Sequence, residues 1–342
     1  LYRESQLSRL AANLKPAVSG HNPVNCLCLG PPATGKTTAV KLIINELEEN
    51  AENITAAYVN CQVAGSRHKI FAAVFEKIFK QQPPKTGIST TTLYHKIFER
   101  VIDENKTLLL FLDDINFIST KELNETLYTL LKAHENYEGI KIGIIGISTD
   151  IKIASRLDEF TGSVFHPDEI FFPPYGKDEI REILFSRAKH GFYEGAITDE
   201  ALDKIVELAY RESDLRLGIY LLRNAGIEAE RKAKRKIDVE DIEAVYEGGA
   251  KIFLMKSIAA LNSDEREVLK IAYEVDEIMT GELYEILNNE VKLPYKRFYD
   301  ILNKLERLKL IDVVFKEKGK GRTRVILRKH NPKTVLEAIK EF

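Results

Sequence analysis

The sequence Gly30-Pro31-Pro32-Ala33-Thr34-Gly35-Lys36-Thr37 fits the phosphate-loop pattern G-x-x-x-x-G-K-T at every position. An apolar run, Val24 to Leu29, precedes it, and a helical pattern from Thr38 to Leu47 follows it. This order of strand, loop and helix lets backbone N–H groups converge on phosphate oxygens. Lys36 would reach the β- and γ-phosphates, and the Thr37 hydroxyl would be a ligand of Mg²⁺. The stretch therefore predicts a parallel α/β fold that binds a nucleoside triphosphate.

The residues up to about Pro174 alternate short β-type runs with helical patterns, which is typical of a parallel sheet wrapped by helices. The predicted strands are Val24–Leu29, Thr55–Asn60, Thr107–Leu112, Lys141–Ile147 and Glu169–Phe172. After Pro173-Pro174 the pattern is helical from Lys177 to about Glu247, and Gly248-Gly249 is a second expected joint. We therefore expect a nucleotide-binding base at 1–175, an all-α lid at 176–248 and a further domain at 249–342.

Two carboxylates, Asp113 and Asp114, follow the apolar run Leu108 to Leu112. In P-loop ATPases such a strand end holds Mg²⁺ and polarises the attacking water, roles that we assign to Asp113 and Asp114 respectively. A buried strand that merely ends in acidic turn residues is the alternative. Asp114 is one methylene shorter than the glutamate usual in AAA+ ATPases, which would hold it farther from the water.

Two further polar residues are candidates for sensing the γ-phosphate. Thr149 follows the strand Lys141–Ile147, at the position called sensor 1 in AAA+ proteins, and a simple strand-ending turn is the alternative. Arg216 lies at the start of a lid helix and could swing onto the γ-phosphate as sensor 2, or be a surface arginine. The residues expected to bind nucleotide are Pro32, Ala33, Thr34, Gly35, Lys36, Thr37, Thr38, Tyr175 and Arg216.

The last domain has the pattern of a winged helix. Helices are expected at Gly249–Asn262, Ser263–Val275, Thr280–Asn288 and Pro294–Lys309, followed by two β runs around Lys316–Gly321 and a closing helix. The helix Pro294–Lys309 turns Phe298, Ile301, Leu302, Leu305 and Leu308 to one side, which leaves polar residues on the other. Lys and Asn on such a helix can read base edges in a major groove.

A basic hairpin follows that helix. Between Lys316 and Lys329 lie seven basic residues and one acidic residue, a composition suited to phosphate or minor-groove contact. A solvated hairpin on a winged helix used for protein contacts is the alternative, but a basic helix and a basic hairpin in one domain favour DNA. The expected DNA contacts here are Lys296, Arg297, Tyr299, Asn303, Lys318, Lys320, Arg322 and Arg324.

The charge composition agrees with a DNA-binding domain at the C-terminal end of the chain. Residues 251–342 carry 19 Lys and Arg against 15 Asp and Glu, whereas the preceding 250 carry 31 against 37.

Cys26, Cys28 and Cys61 lie in or beside apolar runs, which predicts reduced core residues. No run approaches the roughly 18 apolar residues of a membrane span, and no signal-peptide pattern is present. We expect a soluble, cytoplasmic, nucleoid-associated protein with no membrane partner, and a native N-terminal piece before Leu1.

These motifs together resemble the archaeal origin-recognition and cell-division-cycle type of replication initiator, an AAA+ ATPase family with a C-terminal winged helix. The matching segments are Gly30–Thr37, Asp113-Asp114, Ile145–Ser148, Glu169–Tyr175, Asp214–Arg216 and the terminal domain. The string Phe172-Pro173-Pro174-Tyr175 is the most specific of them, whereas the phosphate loop alone is generic.

The sequence departs from the family pattern at positions that concern hydrolysis. Ala33 replaces the usual Gly, Asp114 replaces Glu, and Thr149 stands where Asn is common. Phe160 lies where the family typically places an arginine finger, and Arg156 is a conceivable substitute. Because such a finger contributes about 10³–10⁵ in rate in related systems, we expect ATP or ADP to be held tightly with Mg²⁺ and ATP to be hydrolysed slowly.

The resemblance also implies partners and a second DNA contact. The initiator-specific insertion corresponds to residues 82–90, so Lys85, Thr86 and Gly87 are further candidates for touching duplex DNA. The implied function is an ATP-dependent initiator that binds duplex origin DNA and helps recruit or load the replicative helicase, with a paralogous initiator subunit as a partner. The alternatives are an ATP-switched helix-turn-helix transcription regulator and an AAA+ remodelling ATPase.

Overall fold

The computed structural model describes residues 2–84, 87–259, 261–275, 277–290, 293–308, 310–318 and 321–341. The chain forms two compact units, Leu1–Leu222 and Arg223–Phe342. Among the helices of these described ranges, none is both long and apolar enough to cross a membrane.

The first unit is built on a five-stranded, all-parallel sheet. Its strands are β1 (Cys26–Leu29), β2 (Ile54–Asn60), β3 (Thr107–Asp113), β4 (Lys141–Ser148) and β5 (Asp168–Phe171), in the order β2-β3-β4-β1-β5. All five predicted strands are present, with ends shifted by one or two residues. Every residue of β1 and β3 is buried, because helices cover both faces of the sheet.

Two helical layers enclose the sheet. The helices are α1 (Glu4–Val18), α2 (Lys36–Asn50), α3 (Arg67–Phe79), α4 (Thr90–Asp103), α5 (Thr120–Leu131) and the short α6 (Glu159–Val164). One core cluster packs α1 and α2 against β1 and β3, and a second packs α3, α4 and α5 on the opposite face. Cys26, Cys28 and Cys61 are free, buried core residues, as predicted.

The region after Pro174 is helical, as predicted. It contains α7 (Lys177–Gly191), α8 (Asp199–Arg211), α9 (Leu215–Arg231) and α10 (Val239–Ala259). The predicted helix start at Gly249 was wrong, because α10 continues through Gly248 and Gly249 without a break. Each glycine costs a helix only about 1 kcal/mol relative to alanine, and burial of Ile242, Leu254 and Ile258 on the same helix offsets this cost.

A buried carboxylate joins the end of α9 to the start of α10. The Asp241 side chain is fully buried and accepts hydrogen bonds from Lys232 Nζ at 3.0 Å, Lys234 Nζ at 3.1 Å and the Asp238 backbone N–H at 3.2 Å. Burial by itself would raise the pKa of Asp241, but these donors lower it below its ordinary value. The carboxylate therefore stays charged and fixes the turn.

The rest of the second unit contains the helices and hairpin that the sequence predicts. Its elements are α11 (Ser263–Glu274), β6 (Glu277–Met279), α12 (Thr280–Glu290), α13 (Tyr295–Arg307), β7 (Ile311–Lys318), β8 (Gly321–Arg328) and α14 (Pro332–Lys340). The strands form an antiparallel sheet in the order β6-β8-β7. The three-residue strand β6 was not predicted, because three residues are too few to carry a periodic signal.

Candidate functional site

The loop between β1 and α2 has the backbone conformation of a phosphate-binding turn. Gly30, Ala33 and Gly35 have φ of 148°, 62° and 87°. A Cβ on Gly30 would lie 2.2 Å from the Phe172 carbonyl oxygen, so only glycine is accommodated there. Ala33 adopts a left-handed conformation that costs a non-glycine residue about 1 kcal/mol. The loop is therefore held in a shape that its own sequence does not favour at Ala33.

Lys36 begins α2, and its side chain is buried beneath this loop. Its ammonium group donates hydrogen bonds to the carbonyl oxygens of Gly30 and Pro31, both at 2.7 Å. Burial lowers the pKa of Lys36, and the carboxylates of Asp114 and Asp113 oppose that shift. The cation is thus positioned at the centre of the loop.

Asp113 lies at the end of β3, where three donors orient its carboxylate. Oδ2 accepts hydrogen bonds from the Thr37 hydroxyl at 2.9 Å and the Tyr58 hydroxyl at 2.6 Å, and Oδ1 accepts one from the Asp114 N–H at 3.0 Å. Burial raises the pKa of Tyr58, and the hydrogen bond to Asp113 raises it further. The phenol therefore remains a donor at neutral pH. The two residues predicted to hold Mg²⁺, Thr37 and Asp113, are thereby in direct contact.

A cavity of about 300 Å³ lies over the loop and the start of α2. It brings together the predicted residues Pro32, Ala33, Thr34, Gly35, Lys36, Thr37, Thr38, Asp114, Thr149, Tyr175 and Arg216. Its apolar wall includes Leu42, Ile183, Leu215 and Ile219. The cavity thus combines backbone donors and cations with an apolar surface, as expected of a site for a phosphorylated organic ligand.

Two arginines of this cavity were not predicted. Arg3 is 4% exposed, and it donates to the Thr34 carbonyl at 2.9 Å and to the Pro173 carbonyl at 2.5 Å. Its guanidinium lies 4.0 Å from the centre of the Tyr175 ring. Arg187, on α7, is the second. Arg3 is 170 residues from Pro173 and lies outside any motif, so the sequence carried no signal for this contact.

Asp114 and Arg216 face the cavity with unequal freedom. Asp114 has a left-handed φ of 56°, and burial and the neighbouring Asp113 charge raise its pKa, against the effects of Lys36 and Arg216. A raised pKa favours acceptance of a proton. The Arg216 side chain is exposed and pairs with the Asp214 carboxylate at 3.3 Å.

The loops after β3 and β4 are tied to each other near Thr149. The side-chain oxygen of Asn116 accepts hydrogen bonds from the Thr149 N–H at 3.3 Å and the Ser148 hydroxyl at 3.4 Å. The Arg156 guanidinium donates to the carbonyls of Asn116 at 3.0 Å and Ile118 at 2.5 Å. The arginine considered as a substitute finger is therefore engaged within its own chain.

Phe160, at the finger position, is 74% exposed on α6. A phenyl ring has no charge with which to stabilise phosphate oxygens. Because Arg156 is already engaged, neither of the two residues considered for this role offers a free guanidinium in this conformation.

The second unit displays several of the predicted DNA-binding residues. Phe298, Ile301, Leu302 and Leu305 form the buried face of α13, as predicted, and Lys296 and Asn303 are exposed. Leu308 is only partly buried and follows the last residue of the helix.

Arg297 does not project freely, because it lies 3.5 Å from the Glu265 carboxylate, which Lys304 also contacts at 2.6 Å. The Glu265 carboxylate is 4% exposed. Arg297 and Lys304 therefore tie α13 to α11.

Tyr299 links α13 to β8. The Arg324 guanidinium lies 5.4 Å from the centre of the Tyr299 ring, and the Tyr299 hydroxyl is 3.0 Å from that of Tyr295. Lys318 and Arg322 belong to the facing ends of β7 and β8.

The remaining candidates include residues that the structure does not describe. Lys85, Thr86 and Lys320 lie outside the described residues. Gly87 is exposed, with a left-handed φ of 83° and no atom within 4 Å of a Cβ placed there. The insertion at 82–90 therefore remains a prediction.

Fold and site define the class. This chain has the parallel sheet, phosphate loop and acidic strand end of an AAA ATPase. The AAA domain family model matches residues 21–155, and the model of the Cdc6 AAA+ ATPase-type lid domain matches residues 181–247. The "ORC1-type DNA replication protein 2" of Archaeoglobus fulgidus is 42% identical over 339 residues, which are 99% of this chain and 89% of that protein. The protein of the same name from Methanosarcina mazei is 40% identical over 342 residues, 99% of this chain and 92% of its own. The chain therefore belongs to the family of ORC1-type DNA replication proteins.

A solved structure has the same fold. The Aeropyrum pernix ORC1 protein, determined in complex with DNA, matches with a TM-score of 0.75 at 25% identity, over 99% of this chain and 92% of its own. These matches confirm the predicted resemblance and the predicted AAA+ fold with its helical lid, whereas the winged helix stays a prediction.

Proposed function

We propose that this protein is an ATP-dependent replication initiator that binds duplex origin DNA and helps recruit or load the replicative helicase. The observation that carries the proposal is the cavity in which Lys36, Thr37, Asp114 and Arg216 meet in a member of the ORC1-type family. The Aeropyrum pernix relative in complex with DNA supports a DNA partner.

The proposed nucleotide is ATP or ADP with Mg²⁺. Thr37 and Asp113 would hold the ion, since hydroxyl and carboxylate oxygens 2.9 Å apart are the hard donors that Mg²⁺ takes while it keeps waters and phosphate oxygens. When bound, the ion neutralises phosphate charge. Lys36 would exchange its contacts with the Gly30 and Pro31 carbonyls for phosphate oxygens, and the N–H groups at the start of α2 would bind the same anion.

We further propose that the site hydrolyses ATP slowly and acts as a switch. The short Asp114 side chain would be a weak base for water, and Phe160 cannot stabilise charge on a neighbouring subunit's nucleotide. A paralogous subunit with a complete finger would then be the partner that sets the rate. In this proposal Thr149 and Arg216 detect the γ-phosphate, and Arg216 must first leave Asp214.

The proposed DNA surface lies in the domain assigned to residues 249–342, with 1–175 as base and 176–248 as lid. The exposed Lys296 and Asn303 of α13 would enter a major groove, and the basic residues of β7 and β8 would contact the backbone. The Arg297 contact with Glu265 favours a supporting role for this arginine. A protein of this function would work in the cytoplasm on the nucleoid.

Footprinting on duplex DNA from candidate origins tests the proposal. With ATP, the wild-type protein should protect a defined site, and Lys36→Ala should lose nucleotide binding and alter the footprint. The double variant Lys296→Ala and Asn303→Ala should bind nucleotide normally and lose the site. Protection of unrelated duplexes to the same extent would contradict an origin-binding function.

A further inference from the structure

The hydroxyl of Tyr58 makes a contact at the nucleotide site that no part of the phosphate-loop pattern accounts for. Tyr58 is on β2, paired in register with Phe111 of β3, two residues before Asp113. Side chains alternate along a strand, so Phe111 and Asp113 lie on one face of the sheet, the face that packs against α2. The Tyr58 hydroxyl reaches diagonally across to Asp113 Oδ2, at 2.6 Å.

The same two side chains are contacted by one face of α2. Thr37 and Lys41 are four residues apart and therefore neighbours on the helix surface. The Thr37 hydroxyl donates to Asp113 Oδ2 at 2.9 Å, and the Lys41 ammonium lies 5.0 Å from the centre of the Tyr58 ring. Tyr58 is thus held between β3 and α2 with its hydroxyl directed at the carboxylate.

Each oxygen of the Asp113 carboxylate has a hydrogen bond, which restricts its rotation. Oδ1 accepts the Asp114 N–H, and Oδ2 accepts both Thr37 and Tyr58. Without Tyr58, Oδ2 would keep only the Thr37 hydroxyl, the group that must also serve the ion. A metal-ligating carboxylate that is fixed by a second donor binds its ion more tightly, because less freedom is lost on binding.

We propose that Tyr58 is a positioning residue that fixes the Asp113 carboxylate for Mg²⁺ at the nucleotide site. The inference rests on the proposed function, since it needs Mg²⁺ and nucleotide in this cavity. Tyr58 is not one of the described residues that line the cavity, so it would act without contacting the nucleotide.

The experiment compares Tyr58→Phe with wild type by calorimetry, using the ATP analogue ADPNP with EDTA and with excess Mg²⁺. Phe keeps the ring and removes only the hydroxyl. We expect unchanged ADPNP affinity in EDTA and an apparent Mg²⁺ Kd raised about tenfold or more, the usual effect of removing a partner of a metal ligand. Tyr193→Phe is the matched control, because Tyr193 is 94% exposed, and it should leave both affinities unchanged.

A double-mutant cycle separates positioning from general stability. In an Asp113→Asn background, Tyr58→Phe should have no further effect on the Mg²⁺ Kd, because the carboxylate that it positions is gone. Equal losses in EDTA and in Mg²⁺, an unchanged Mg²⁺ Kd, the same loss in both backgrounds, or unfolding of Tyr58→Phe in EDTA would each overturn the inference. If the wild-type protein binds no ADPNP even with excess Mg²⁺, the proposed nucleotide function itself fails, which is a separate result; if it binds ADPNP equally with and without Mg²⁺, the inference about Tyr58 is overturned while nucleotide binding stands.

Discussion

Replacing Arg3 with methionine should loosen the phosphate loop, although Arg3 lies far from it in sequence. Arg3 donates to Thr34 in the loop and to Pro173 after β5, and it stacks on Tyr175. Each hydrogen bond from a charged group contributes about 1.5–3 kcal/mol, and the cation–π contact about 1–2 kcal/mol. Methionine keeps much of the buried volume and avoids burying a charge, so we estimate a net loss of about 3 kcal/mol.

Urea unfolding and calorimetric nucleotide binding measure this loss in two ways. The unfolding free energy should fall by about 2–4 kcal/mol, and the ADP Kd should rise at least about tenfold, because one side chain holds both the loop and the residues after β5. Arg3→Lys should be intermediate, since an ammonium cannot span two carbonyls as a guanidinium does.

Arg9→Met is the control for the Arg3 experiment. Arg9 lies on α1, whereas Arg3 directly precedes that helix; Arg9 is exposed and pairs with Asp168, and a surface ion pair of this kind contributes little to stability. Equal effects of the two methionine variants would refute the reasoning. So would a destabilised Arg3→Met protein whose ADP affinity is unchanged.

Three other perturbations have definite expected outcomes. Asp114→Glu should raise the rate of phosphate release about tenfold at unchanged ATP affinity, because the longer carboxylate reaches the water; an unchanged rate would point elsewhere for the slow step. Asp241→Asn should lower the unfolding free energy by about 1–3 kcal/mol at neutral pH, since Lys232 loses a buried partner, and the deficit should shrink in acid. The sign follows from the lowered pKa of Asp241: its stabilisation is present above the ordinary pKa and is lost as pH falls through the lowered one. Lys296→Ala should reduce the slope of the logarithm of the DNA association constant against the logarithm of the salt concentration by about 1. Asn303→Ala should lower the binding free energy by about 1–3 kcal/mol at a single base position only. A uniform loss of affinity across sequences would contradict base reading by Asn303.

The parts of the fold that sequence predicted well are those set by local chemistry. The phosphate loop, the strand before Asp113 and the apolar face of α13 each depend on residue types at fixed short spacings. Parallel topology follows, because strands joined by helices lie side by side with their carboxyl ends at one edge. Thr149, Asp114 and the loop therefore meet at one cavity.

The parts that sequence missed depend on contacts between distant residues. Nothing near Arg3 or Tyr58 indicates that one supports the loop and the other Asp113, because those contacts span 31 and 55 residues. Arg297 is a residue type expected to contact DNA, and only the packing of α11 against α13 reveals Glu265 beside it. The Gly248-Gly249 pair illustrates the reverse case, in which burial along α10 overrides a strong local breaker signal.

The claim that this site binds nucleotide tightly and hydrolyses ATP slowly is tested most directly by the turnover rate of the isolated protein at saturating ATP and Mg²⁺. A site that binds nucleotide without a finger should release phosphate at or below about 10⁻³ s⁻¹, the range of P-loop enzymes without an arginine finger, while it retains bound nucleotide through purification. Sustained multiple turnover at about 1 s⁻¹ or faster by the protein alone would contradict the account.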